Sequence, residues 1–242
     1  MMDYSYLDGL RGIGAFVVYL AHFLGHFYSL PESQEQYEKL DENSKLPDYF
    51  RTVPPLVLIY HGYYWVVVFF ILSGFVLTLR FFKIKKHTCI TGGTFRRYLR
   101  LMIPLWVILS LYYFCMKMQL FNPEDLMDGN DLSRIKNKTF LDLTYDSLFS
   151  VWYGDNDWAI SVWTLSIELT ATFMVYLIAQ TVVEYKGRGW IYFLILAFFL
   201  VPYYINKYHY SDQKLARTNV GHLYIYHYPM FIFGVILADL EM

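Results

Sequence analysis

Residues 7–28, LDGLRGIGAFVVYLAHFLGHFY, form an apolar run of bilayer-spanning length interrupted by Arg11 and His22. Hydrocarbon offers backbone groups no water, so a spanning run of this kind has to be helical. Arg11 and His22 stand eleven residues apart. At about 100° and about 1.5 Å per residue, they return to within about 20° of one helix face, about 16 Å apart along the axis. A cation and an imidazole are costly in lipid and usually face a bundle interior or a wet cavity. The run therefore calls for partner helices.

Five further apolar segments supply them, at 57–80, 101–120, 161–183, 190–204 and 223–240. The fifth in chain order is short and ends near Pro202, which suits a tilt into the bundle. A weaker apolar piece at 148–153 reads as interfacial or re-entrant. With 56% hydrophobic, 21% aromatic and only 17% charged residues, the chain has a membrane composition, since globular domains average near 25% charged. The first run is not read as a signal peptide: no basic residue precedes it, Arg11 interrupts it, and no small-x-small site follows. Aromatic borders at 60–65, 152–158 and 203–210 resemble interfacial belts.

The connections sort by charge. The 80–100 stretch carries Arg80, Lys83, Lys85, Lys86, Arg96, Arg97 and Arg100 with no acid, whereas 31–51 is mainly acidic. The positive-inside rule places 80–100 in the cytoplasm. The expected fold is thus all-α, a polytopic bundle of about six spans with both termini cytoplasmic and 121–147 outside. The sequon Asn137-Lys138-Thr139 is compatible with that placement. No basic patch outside the membrane suggests nucleic acid. Cys89 and Cys115 show neither a disulfide framework nor metal-ligand spacing.

Several groups are candidates for chemistry. His22 suits a general base, or a histidine hydrogen-bonded between helices. His26 lies one turn further, but no third ligand accompanies the pair, so no metal site is expected. Ser73-Gly74 reads as a small-residue pair for close helix approach. Arg97 and Arg100, in FRRYLR, are neighbours on a helix face; arginine forks suit phosphate, and lipid headgroups offer the same chemistry. In WAISVWTLSIELT, Glu168 enters a membrane segment with Ser161, Thr164, Ser166 and Thr170. It needs a partner. Arg11 and His22 are the natural candidates, whether for catalysis or for a structural ion pair.

Taken together, LDGLRGIGAFVVYLAHF, FFILSGFVLT, FRRYLRLMIPLW, WTLSIEL and YHYPMFIFGVILADL resemble stretches of the acyltransferase-3 family of integral membrane O-acyltransferases. The resemblance runs from about residue 7 to residue 240. It implies a single membrane domain over 1–242 that lacks the family's C-terminal helices. It also implies an acyl-CoA donor, most often acetyl-CoA, approaching from the cytoplasm, and no tightly bound cofactor. Arg97 and Arg100 would receive its phosphates. His22 would act as general base on an acceptor hydroxyl or handle the acyl group, and Arg11 would position donor or intermediate. Trp163 and Glu168 would shape the acceptor side. The acceptor would be a carbohydrate or lipid-like molecule. Two other readings are a non-catalytic membrane subunit or remnant, with a partner chain completing the bundle, and an anion transporter. No inverted repeat supports the transporter.

Overall fold

The computed structural model describes residues 5–28, 62–84, 88–120, 135, 137–153, 158, 162–209 and 220–241, with side-chain surroundings for 6–23, 62–84, 92–120, 135, 137–153, 158, 162–201 and 227–241. The acidic 31–51 stretch, the side chain of His26 and all of 121–134 lie outside these residues. Seven α-helices and one 3-10 turn are described, with no strand among the described residues: α1 Ser5–Tyr28, α2 Gly62–Ile84, α3 Thr88–Lys117, α4 Phe140–Leu148, the turn Ser150–Tyr153, α5 Trp163–Val182, α6 Arg188–His209 and α7 Val220–Leu240. Three of them are long and apolar enough to cross a membrane: α2, α5, and α3 over Gly92–Lys117.

The chain divides into two compact units, Met1–Ser73 and Gly74–Met242. In the first unit α1 packs on the start of α2. Leu7, Val17 and Ala21 are buried. Gly14 leaves room for the rings of Trp65 and Phe69, and Gly62 for Ala21. These positions share one stripe of α1, and Arg11 and His22 lie on its flank.

The second unit is built around α3. This helix starts well before the expected residue 101, because Arg96, Arg97 and Arg100 belong to it and not to a loop. It carries Pro104 internally, which is tolerated where neighbouring elements support the backbone. It ends with Gln119 in the left-handed region at φ 56° and the Leu120 amide bonded to the Cys115 carbonyl, a Schellman-type stop.

The sequence reading treats 121–147 as a loop, yet α4 occupies its second half. A capping box starts it. Thr139 accepts from the Asp142 amide at 3.3 Å, and Asp142 accepts from the Thr139 amide at 2.7 Å. Two core clusters hold α4 and the turn against α3. Leu109, Ile135, Leu143 and Trp158 form one; Met102, Val151, Val162 and Leu169 form the other. Trp152 and Trp158, read as part of an interfacial belt, pack inward instead. Trp152 stacks on Tyr98 and meets Phe173 at a tilt, and Trp158 is 3% exposed.

The Thr139 backbone bond, followed by its hydroxyl bond, holds the Asp142 carboxyl below its usual 3.8. A depressed folded-state pKa contributes stability above the unfolded value, and that contribution is lost as pH falls through the folded value. Asp142→Asn should therefore melt below the wild type at neutral pH, with the gap closing below pH 3.8. Paired thermal melts across pH test this, and a gap that persists in acid would rule it out.

Candidate functional site

The second unit brings two of the sequence motifs into contact. Arg97, on α3, is 8% exposed and forms an ion pair with Glu168, on α5, whose side chain is 23% exposed. Sequence reasoning looked to Arg11 or His22 as partners of Glu168; the second unit supplies Arg97 as a partner that reading did not name. Helix α3 presents Arg97 to α5, whereas Arg96 and Arg100 are exposed. The two arginines of the RxxR pattern thus occupy different surroundings, one neutralised within the bundle and one open.

The polar neighbours of Glu168 are mostly committed to their own helix. Thr172 Oγ1 donates to the Glu168 carbonyl at 2.7 Å, and Thr170 Oγ1 to the Ser166 carbonyl at 2.9 Å. Such i−4 bonds satisfy hydroxyls in an apolar setting. One turn before Arg97, Gly93 makes room for the Tyr176 hydroxyl, which would stand 2.7 Å from a Cβ there. The pair therefore sits where α3 and α5 come close.

Trp163 opens α5 and packs on His227 of α7, with ring centroids 5.2 Å apart and planes 32° apart. His227 is buried. Sequence reasoning missed it, although a histidine two residues before Pro229 in an apolar run is the kind of costly group that marks a site. Trp163 and Glu168 are five residues apart on one helix, about 7.5 Å of rise and about 140° around the axis, so they present to different neighbours.

Two further acids also escaped the sequence reading. Asp146 of α4 accepts from Lys138 Nζ at 2.5 Å and Trp158 Nε1 at 3.0 Å through one oxygen, and from Ser150 at 3.2 Å through the other. With both oxygens engaged it fastens the segment. Asp239 near the end of α7 pairs with Arg188 Nε at 2.6 Å, clasping the start of α6.

In the first unit, Arg11 is half-buried and lies 3.6 Å from Asp8, which is 83% exposed. Exposed pairs of this kind contribute little, so Asp8 leaves the guanidinium largely available. His22 is exposed. The unbroken helix preserves the spacing of the two.

A family model described as an acyltransferase domain, acyltransferase-3, matches residues 4–242. The chain belongs to the acyltransferase-3 family. No curated protein and no solved structure matches it. Membership supports acyl transfer as the general chemistry of the chain. The acyltransferase-3 match includes Arg11, His22, Arg97, Arg100, Trp163 and Glu168.

Proposed function

We propose that this acyltransferase-3 chain is a multi-pass membrane O-acyltransferase. In this reading it forms one membrane domain of six spans with cytoplasmic ends, and 80–100 faces the cytoplasm. It moves an acyl group, acetyl being the expected one, from acyl-CoA to a hydroxyl of a carbohydrate or lipid-like acceptor. The Arg97–Glu168 contact carries the reading, because it joins the proposed donor element of α3 to the proposed acceptor element of α5 within one helix pair.

In the proposed reaction the acceptor oxygen attacks the thioester carbonyl while His22 takes the hydroxyl proton. The C–O bond forms, the C–S bond breaks, and the coenzyme A thiolate leaves and recovers a proton. Arg100 holds a donor phosphate through its fork. Arg97, paired with Glu168, holds α3 against α5 beside the donor, Arg11 orients donor or intermediate, and Trp163 borders the acceptor. No tightly bound cofactor enters this scheme. The Arg97–Glu168 pair equally suits a non-catalytic bundle in which it only locks two helices.

Coenzyme A titrated into the purified protein in detergent tests the donor half. Arg100→Ala should weaken binding at least about tenfold, about 1.4 kcal/mol. His22→Ala should retain binding yet lower acyl transfer by about 10²- to 10⁴-fold. Folded wild-type protein that binds no coenzyme A would overturn the proposal. Unchanged function in His22→Ala would favour the packing role.

A further inference from the structure

The segment that follows the sequon runs down the length of a spanning helix. Phe140 packs on Tyr113, Trp106 Nε1 donates to Thr144 Oγ1 at 3.2 Å, and Tyr98 Oη donates to the Leu148 carbonyl at 2.7 Å. As α4 and its turn advance from residue 140 to 152, their contacts on α3 retreat from Tyr113 to Tyr98. That is about 22 Å along the axis, against a hydrocarbon core of about 30 Å. At the tip Trp152 also packs on Phe173, midway along α5, with ring planes 48° apart. The tip is thus level with Tyr98, six residues into the candidate span Gly92–Lys117 and beside Arg97 at its basic end.

Apart from Asp142 in the first turn, the outward face of this segment is apolar and exposed. Leu141 is 79% exposed, and Tyr145, Phe149 and Tyr153 follow at four-residue intervals, each more than half exposed. The opposite face, Leu143, Asp146 and Ser147, is buried. Beside it, α3 also exposes Ile103, Val107, Ile108, Leu111 and Phe114. Beyond its first turn, where Asp142 is exposed at the entry end, the segment is polar only where it faces the protein, and a helix so laid along a span has a lipid-facing stripe. The backbone at this depth is sheltered by α3 and α5, as membrane-depth backbone must be.

We infer that residues 140–153 are a re-entrant membrane element. Its Leu141–Tyr145–Phe149–Tyr153 stripe contacts acyl chains, entering from the side opposite the basic 80–100 stretch. The inference rests on the spanning reading of α3. It makes α5 begin inside the membrane, which places Trp163 and His227 below the surface.

Single-cysteine variants Leu141→Cys, Tyr145→Cys, Phe149→Cys and Tyr153→Cys, in a Cys89→Ser/Cys115→Ser background, test it. Each is spin-labelled and reconstituted in phosphatidylcholine vesicles, and collision with oxygen is compared with collision with a water-soluble nickel chelate. The controls are Asn137→Cys for water and Ile108→Cys for lipid. The oxygen-to-nickel ratio should rise from position 141 to position 149 and reach that of Ile108→Cys. Nickel access matching Asn137→Cys would overturn the inference in favour of a surface helix. Shielding from both reagents would overturn it in favour of protein contact. Nickel access at Ile108→Cys would instead defeat the spanning reading itself. Because the four positions are independent, one variant that fails to fold leaves the depth gradient measurable.

Discussion

Glu168→Ala is expected to cost about 3–5 kcal/mol of stability, because it removes the counter-charge of a buried guanidinium. Arg97 is 8% exposed, so water cannot replace the carboxylate without opening the α3–α5 contact. Arg97→Ala should cost less, because the Glu168 side chain is 23% exposed and water can reach its carboxylate. The double variant Arg97→Met/Glu168→Leu should recover most of the loss, since apolar isosteres of a buried pair are often neutral or stabilising. If the pair also serves the donor, that stable double variant should still bind coenzyme A poorly. Denaturant unfolding in detergent, paired with coenzyme A titration, separates the two contributions. A loss below about 1 kcal/mol in Glu168→Ala would show that the pair is screened like a surface bridge.

The second large effect belongs to Gly74. A Cβ at this position of α2 would overlap the Phe231 carbonyl oxygen of α7, with the carbonyl carbon at 2.9 Å and the Cα at 3.1 Å. These are backbone atoms, so no rotamer change relieves the clash and the helices must separate. Phe231 is itself fully buried. Gly74→Ala should therefore cost about 1–3 kcal/mol or more, read as a lower melting temperature and loss of the monodisperse species. Gly14→Ala meets only the rings of Trp65 and Phe69 and should cost less. Gly12→Ala has nothing within 4 Å and should be neutral, or stabilise through helix propensity. A Gly74→Ala protein as stable as Gly12→Ala would mean that α2 and α7 do not cross there.

Much of the helical layout was legible in apolar runs, which fixed α1, α2, α5 and α7 to within a few residues. The start of α3 was not. Residues 88–100 are rich in charge and glycine, and a hydropathy reading assigns such a stretch to a loop. Helix α4 was missed for the same reason, although Thr139-x-x-Asp142 before an apolar run is a capping-box signal. Ser73-Gly74 announced a close helix approach, but a small residue does not name the backbone it meets. The Arg97–Glu168 pair was illegible because it joins residues far apart in the chain. Sequence offered several cations for one carboxylate and no means of choosing. Asp146, Asp239 and His227 stood in plain view as costly groups, and only packing supplied partners for the two acids.

The order in which these contacts close has a consequence for assembly. Helices α3, α4 and α5 are consecutive, so their seams, including the Arg97–Glu168 pair, can form once residue 182 has been made. The crossing of Gly74 with Phe231 must wait for α7, which is made after α5 and α6. Contacts between distant parts of a chain carry a larger loop-closure cost and tend to form late. Until then the glycine notch of α2 at Gly74 has no helix to fill it. A nascent chain arrested after α5 would carry the ion pair with the notch still unfilled.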